Sequence, residues 1–565
     1  MSVQLDVVDS TEARKGRGAF FTPPVIANFL AAWAIARNRD ARVLDPTCGD
    51  GAFLVAAGRT LLGLGAQTAA LDAQVVGFDI HPPSLRRADN MLSDASLDAT
   101  LRTGDFFRQT PPDELFSPWA HFDAVIGNPP FVRYQAHVGE ARLLSAQAAL
   151  RQGVRLSGLA SSWAAILVHA AAFVAPAGRL AMVLPAELLS VGYAEPVRRW
   201  LRSRFSKVNL VVFERLQFDD ALENVVLLLA EGSGGCDAFN LFYVEDGDEL
   251  HDIGPFDGSP VALAEEGKWT ELLLADSERR LYRQLRNQQF VSLSDYGPPE
   301  LGTVTGANLY FAISEQLRSK YDLRPDLDVV QISPPGTKHL HGLTFGRAEW
   351  SRLRRAGERV WLFCPPPGVS SPSIDAYKQH GVDMQVPNAY KCQVRPDWWR
   401  PPLVSSPDLF FTYMSHQFPR LITNSARVGF LNSMHGIRLT SAAPKVAKEA
   451  LPLVAINSLT MLGGEIGGRS YGGGVLKMEP SEARALPVPR PEHLEAAWAV
   501  LRNERDRLDR QLREGRWTTV AARVDQVLLR DVMGIAGAEA EQLCESARTL
   551  RGRRLARGRG RLVDG

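Results

Sequence analysis

Apolar positions in the first 230 residues follow two periods. Short aliphatic and β-branched runs at residues 43–44, 74–80, 122–126, 180–185, 208–213 and 224–229 read as buried strands. Between them Val25, Ile26, Phe29, Leu30 and Trp33 share one helical face, and residues 163–174 and 187–205 read as further helices. Thr22 followed by two prolines reads as a cap and first turn, and capping alone would account for that threonine. Pro176-Ala-Gly178 reads as the turn before the strand at 180–185. Strands alternating with helices predict an α/β domain, a mostly parallel sheet with helices on both faces.

The pattern changes after residue 230. Residues 231–258 are rich in Gly and Asp and read as a transition out of the first domain. Residues 491–545 read as helices, with Leu501, Leu508, Leu512 and Val520 among their apolar positions. The divisions expected are 1–240 for the α/β domain, 241–289 for the transition, 290–490 for a mixed α+β domain, and 491–565 for a helical segment ending in an arginine-rich tail. That tail carries Arg548, Arg551, Arg553, Arg554, Arg557, Arg559 and Arg561, and reads as mobile.

Composition narrows the class. A chain of 565 residues exceeds what one core usually supports. Hydrophobic content of 45% and charged content of 22% are ordinary for a globular protein. No apolar run reaches the roughly 18 residues that span a bilayer, and the N-terminus lacks a signal-peptide pattern, so no membrane partner and a cytoplasmic location are expected. Cys48, Cys236, Cys364, Cys392 and Cys544 are scattered and never form a CxxC pair, so neither a disulfide framework nor a metal site is expected. The net charge of +1 hides an asymmetry. Residues 1–289 hold 27 Lys/Arg against 35 Asp/Glu, and residues 290–565 hold 37 against 28. A basic half beside an acidic one suits contact with a polyanion, and compositional drift is the plainer alternative.

The chemistry concentrates at strand ends. Val43-Leu-Asp-Pro-Thr-Cys-Gly-Asp-Gly51 is a strand, a glycine loop and a helix start, which brings backbone amides close to a ligand. It lacks the GxGxxG spacing of a pyrophosphate site, and Asp45 would repel a phosphate. A carboxylate there suits an ammonium group, such as the amino-acid end of S-adenosylmethionine. Asp79 ends the second strand, where an acid commonly takes ribose hydroxyls. Asp105 precedes Phe106, as if to bond an adenine amino group and flank its ring. The fourth strand ends in Asn128-Pro-Pro-Phe131, a rigid turn with an amide that can grip a planar amine. Each acid alone also fits a helix cap; the three acids and the Asn128 turn, in order at one sheet edge, point to a nucleoside site.

These motifs resemble a class I methyltransferase with a Rossmann-like fold, specifically a gamma-type (Taq-type) DNA adenine-N6 methyltransferase of restriction–modification systems. The resemblance rests on Phe20-Phe-Thr-Pro-Pro24, Asp45-Pro-Thr-Cys-Gly-Asp-Gly-Ala-Phe-Leu54, Gly77-Phe-Asp-Ile80, Gly104-Asp-Phe-Phe107 and Asn128-Pro-Pro-Phe131. It implies cofactor contacts at Thr22, Asp45, Thr47, Gly49, Asp79, Ile80, Asp105, Phe106, Pro130 and Ile166, the last at a position often aromatic in the family. It also implies catalysis by Asn128, Pro129, Pro130 and Phe131. The Asn128 oxygen and Pro129 carbonyl would accept both amine hydrogens of a flipped adenine, while Phe131 and Phe218 stack on it. A core phenylalanine is the alternative for Phe218. The implied partner is double-stranded DNA, met by a target-recognition domain at 290–490 and acted on by a monomer; a cognate restriction endonuclease encoded nearby is a further candidate.

In that region bases and aromatics interleave at Lys391, Arg395 and Arg400, and glycines surround Arg469 and Tyr471. These five are the candidate DNA contacts, with core packing and structural turns as the alternatives. RNA or protein-glutamine amino-methyltransferases also use Asn-Pro-Pro, but the leading Thr-Pro-Pro and the large basic half speak against them. A non-catalytic DNA-binding defence component is the rival from another class, and the intact motif residues speak against it.

Overall fold

The computed structural model describes residues 22–132, 137–213, 225–252, 259–262, 268–471 and 474–559. They divide into two compact units, Met1–Ala275 and Asp276–Gly565.

Among the described residues of the first unit nine strands form one sheet: β1 (Val43–Asp45), β2 (Val75–Asp79), β3 (Thr100–Thr103), β4 (Phe122–Gly127), β5 (Val174–Pro185), β6 (Lys207–Phe213), β7 (Val225–Glu231), β8 (Ala238–Val244) and β9 (Ser259–Ala262). Their order is β3-β2-β1-β4-β5-β7-β6-β8-β9. The first five run parallel, and β7 enters antiparallel between β5 and β6. Every residue of β1 is buried, as are the last six of β5 and six consecutive residues of β7. Successive side chains point to opposite faces, so uninterrupted burial means both faces are covered. Helix α1 (Pro24–Ile35) precedes β1, and α2 (Ala52–Gly63), α3 (Pro82–Asp94), α4 (Gly139–Arg151) and α5 (Ser162–Ala170) lie between strands in the chain. The mostly parallel α/β sheet expected from sequence is present.

Local details differ from the pattern reading. The cap of α1 is Pro23 and no side chain caps it; Thr22 is therefore free to serve another partner. Pro176-Ala-Gly178 is not a turn: β5 runs through it, with the register to β4 shifting between Phe122 and Ala124. The helix expected at 187–205 is broken into Glu187–Ser190 and Glu195–Arg204. Beyond residue 240 the sheet continues through β8 and β9, inside the stretch read as a transition.

The order of strands reverses between β1 and β4. Asp45 at the end of β1 pairs with Gly77, and Leu44 pairs with Val125. The ends of β2, β1 and β4 therefore lie side by side at the sheet's carboxyl edge, the crevice where open α/β sheets bind ligands.

The second unit is mixed α+β. One sheet orders Pro299–Leu301, His435–Ile437, Leu409–Phe411, Leu421–Asn424 and Thr344–Phe345; another joins Ala312–Ser314, Arg359–Phe363 and Val329–Gln331. Their core includes Phe311, Trp361, Phe363, Tyr377 and Phe410, with Trp398 and Trp399 packed partly buried against it. A third small sheet contains β10 (Met414–Ser415), β11 (Arg469–Tyr471) and β12 (Val475–Lys477). Helices α6 (Ser458–Gly467) and α7 (Gly537–Arg559) pack together. Gly463 and Gly464, two of the glycines ahead of Arg469, lie within α6 and not in a loop. A Cβ there would stand 2.3 Å from Pro487 and 3.0 Å from Pro419, so their role is close packing. The arginine tail is likewise helical up to Arg559. Among the described residues no single helix is long and apolar enough to cross a membrane.

Candidate active site

A cavity of about 250 Å³ opens at the carboxyl edge of the sheet. It is lined by Thr22, Thr47, Gly49, Asp79, Ile80, Asp105, Phe106, Asn128, Pro130 and Ile166. Residues from before α1 to α5, more than 140 positions apart in sequence, thus converge on one space.

The glycine loop is built from backbone constraints. Gly49 and Gly51 have φ of +54° and +91°, the left-handed region that disfavours a side chain. The Gly49 amide donates to Asp79 Oδ2 at 3.0 Å, while Asp79 Oδ1 accepts from His81 N at 2.7 Å. Asp79 thereby ties the end of β2 to the loop after β1 while still lining the cavity. Asp105 Oδ1 accepts from Phe107 N at 3.0 Å and caps the short turn Phe106–Arg108. Phe106 is 5% exposed and sits against Phe78, His169 and Phe173, with ring centres 5.0–5.6 Å apart. It is a fixed wall of the cavity. Burial pushes the His169 imidazole down to about 4, so it is neutral, with its Nε2 3.2 Å from the Phe106 carbonyl.

Asp45 is placed differently from its neighbours. It is completely buried and does not line the cavity. Oδ1 accepts from Thr47 N at 3.0 Å; Oδ2 is buried with no hydrogen-bond partner. Burial, with Asp79 and Asp50 nearby, pushes its carboxyl up to about 8. Gly127 makes room for it: a Cβ at that position would lie 2.8 Å from Asp45 Oδ1.

Asn128 follows directly on β4. Its Nδ2 donates to Thr22 Oγ1 at 3.2 Å across 106 residues of sequence. That bond engages the amide nitrogen and so fixes which way the carboxamide oxygen points. Pro129 is buried. The Pro130 carbonyl accepts the Ser162 hydroxyl. Ser162 Oγ also accepts from Val132 N at 3.0 Å, and Ser162 N donates to the Val132 carbonyl at 3.0 Å. The first turn of α5 thus clamps the Asn-Pro-Pro turn on its outgoing side. Phe131 packs partly buried against the main core and is not among the cavity residues. Phe218 lies outside the described residues.

Ser162, His137, Arg87 and His81 also line the cavity and escaped the sequence reading. For Ser162 the only signal was a serine pair before an apolar helix, which reads as a cap. His137 Nε2 lies 2.8 Å from Ser145 Oγ, and burial lowers its pKa.

In the second unit Lys391 is exposed, its Nζ 5.5 Å from the Tyr390 ring centre. Arg395 donates to the Val304 carbonyl and lies 5.8 Å from the Phe311 ring, a packing role. Arg400 reaches the Cys364 thiol. Arg469 forms an ion pair with Glu482. The side chain of Tyr471 lies outside the described residues.

With this geometry in view, two family models match. One described as N-6 DNA Methylase matches residues 8–211. Those residues belong to the N-6 DNA methylase family. The other, described as Type II methyltransferase M.Eco57I, C-terminal domain, matches residues 266–529 of the methylase. Type II methyltransferase M.AccI of Acinetobacter calcoaceticus is 22% identical over 486 residues, covering 84% of this chain and 85% of that one. Type II methyltransferase M.XamI of Xanthomonas campestris pv. amaranthicola is 24% identical, covering 85% and 86%. Among solved structures, the methylase is similar to the Type IIL restriction-modification enzyme MmeI in complex with DNA. The TM-score is 0.49 at 13% identity, covering 96% and 80% of the two chains, too low to bear on function.

Proposed function

We propose that the methylase transfers a methyl group to N6 of an adenine flipped out of double-stranded DNA, with S-adenosylmethionine held at the sheet edge. The observation that carries this reading is the shared cavity: cofactor-type acids and the Asn128 amide line the same space. The cavity fits such a ligand chemically. Asp79 offers carboxylate oxygens to ribose hydroxyls, Ile80 and Ile166 offer apolar walls to a purine, and the unpartnered Asp45 Oδ2 lies beneath the loop. Bound there, S-adenosylmethionine would supply an activated methyl group on its sulfonium.

The protein's part is to make a poor nucleophile better. An exocyclic adenine amine has its lone pair delocalised into the ring. The Asn128 Oδ1 and Pro129 carbonyl would accept both amine hydrogens, favouring a pyramidal nitrogen whose lone pair faces the cavity. Thr22 holds the Asn128 carboxamide in that sense from behind. Phe131 would stack on the extruded base, offsetting the few kcal/mol that flipping costs. The gamma subclass, a recognition role for residues 290–490, a restriction–modification setting and a monomeric enzyme complete the reading. Among the candidate contacts Lys391 is exposed, whereas Arg395 is committed to packing.

Single-molecule sequencing of DNA from a host expressing the protein tests this, because base, position and motif are read together. N6-methyladenine at one short recurring sequence is expected. A host genome without it would overturn the reading.

A further inference from the structure

Behind the clamp on the Asn-Pro-Pro turn stands one phenol. Helix α5 starts at Ser162, and the side chain of its cap residue, Ser161, makes no capping bond. A helix start without such a cap leaves its first turn to be held from elsewhere. The Ser161 hydroxyl bonds the hydroxyl of Tyr193 instead. Tyr193 lies between the helices Glu187–Ser190 and Glu195–Arg204. Its hydroxyl donates to Glu187 Oε2 at 2.6 Å and accepts from Trp163 Nε1 at 3.0 Å. A phenol has one proton to give and two lone pairs to offer, so these three partners use it fully. Trp163 is completely buried, with its ring centre 6.2 Å from that of Tyr193. Burial, with Glu187 beside it, holds the phenol well above its ordinary pKa, so it stays a donor.

The place of this hub in the fold gives it meaning. In the sheet, β5 lies on the side of β4 away from β1 and its glycine loop. Gly127, the last residue of β4, pairs with Met182, and β5 continues to Pro185. Glu187 follows at once, so the hub ties the start of α5 to the chain leaving β5. Three consecutive residues there divide their bonds. Ser161 and Trp163 hold Tyr193, while Ser162 between them holds Pro130 and Val132. Tyr193 itself does not line the cavity.

We propose that Tyr193 is a positioning residue for methyl transfer: through Ser161 and Trp163 it sets the first turn of α5, and through Ser162 it sets the turn Asn128–Pro130. This rests on the reading that the turn grips the target amine.

Full-length variants test it by three readouts: steady-state methylation of duplex DNA, affinity for S-adenosylmethionine, and amide hydrogen exchange at Val132, whose N–H donates to Ser162 Oγ. Tyr193→Phe keeps the ring and removes the hydroxyl. A kcat lowered about tenfold is expected, with KM for DNA and cofactor affinity within about twofold of wild type and faster exchange at Val132. Ser162→Ala cuts the link itself, so the double variant should be no slower than Ser162→Ala alone. Should Tyr193→Phe not fold, Ser161→Ala carries the test, with kcat expected to fall about threefold and the same lack of additivity. Wild-type kcat in the folded variant, or losses that multiply in the double variant, would overturn the proposal. Should the wild type methylate no DNA, both this and the proposed function fall; Val132 exchange that still responds to Tyr193→Phe would then identify the functional reading as the part that failed.

Discussion

In the proposed reaction Asn128 is the residue on which the chemistry turns, and its setting is more specific than the motif alone. Its carboxamide nitrogen is engaged by Thr22, a residue that pattern reading assigned to a helix cap. Thr22→Val should therefore lower kcat about tenfold through a loosely oriented amide, the worth of one well-placed hydrogen bond, while Thr22→Ser retains it. A steady-state assay at saturating cofactor separates the two; equal rates would remove Thr22 from the account. Asp45 makes a pH prediction. Burial makes ionisation unfavourable and pushes its carboxyl up to about 8, from the ordinary carboxylate value of 3.8. Its contribution to stability is thus fully present below 3.8 and is lost as pH rises through 8. A cationic group bound above the loop would favour the ionised form, so binding should release a proton. Affinity for S-adenosylmethionine should then rise with pH up to about 8, and Asp45→Asn should flatten that rise. Calorimetry in buffers of different ionisation enthalpy checks it; a pH-independent affinity in the wild type would show that Asp45 stays neutral.

Among the elements, the end of β4 has little freedom. Gly127 leaves no room for a methyl beside Asp45, and α5 clamps the following turn through Ser162. Gly127→Ala should destabilise the fold by about 1–3 kcal/mol through overpacking. Thermal unfolding monitors this, and an unchanged midpoint would mean that the strand end adapts. The strands and the acids at their ends were legible in the sequence because burial on both faces leaves continuous apolar runs, and polar residues at the tips interrupt them. The cross-chain contacts were not. Nothing near Thr22 or Ser162 in the sequence announces a partner 106 or 32 positions away. Gly463 and Gly464 misled for a related reason: glycine serves close helix packing as well as loops, and only the neighbouring Pro487 and Pro419 decide between them. Phe106 and Arg395 show the same limit, since a ring or guanidinium suited to a ligand also suits a wall or a carbonyl.

Over the whole molecule, charge is divided between an acidic first half and a basic second half, and the two compact units part at Ala275 and Asp276. If the basic unit meets phosphates, the logarithm of DNA affinity should fall linearly with the logarithm of salt concentration, while cofactor affinity barely moves. Fluorescence anisotropy on a duplex over a salt series measures the slope; a flat line would mean that the charge asymmetry has no part in binding. Two units with separate cores also suit a division of labour, chemistry in one and selection of the target in the other.

The most direct test of the central claim is nucleoside analysis. Duplex DNA is incubated with labelled S-adenosylmethionine and either wild-type protein or Asn128→Ala, then digested and separated. Label in N6-methyladenine from the wild type is predicted, with a loss of about 10²- to 10³-fold or more in the variant while cofactor affinity stays near normal. Label in a cytosine product, or a variant that keeps most of its activity, would contradict the account.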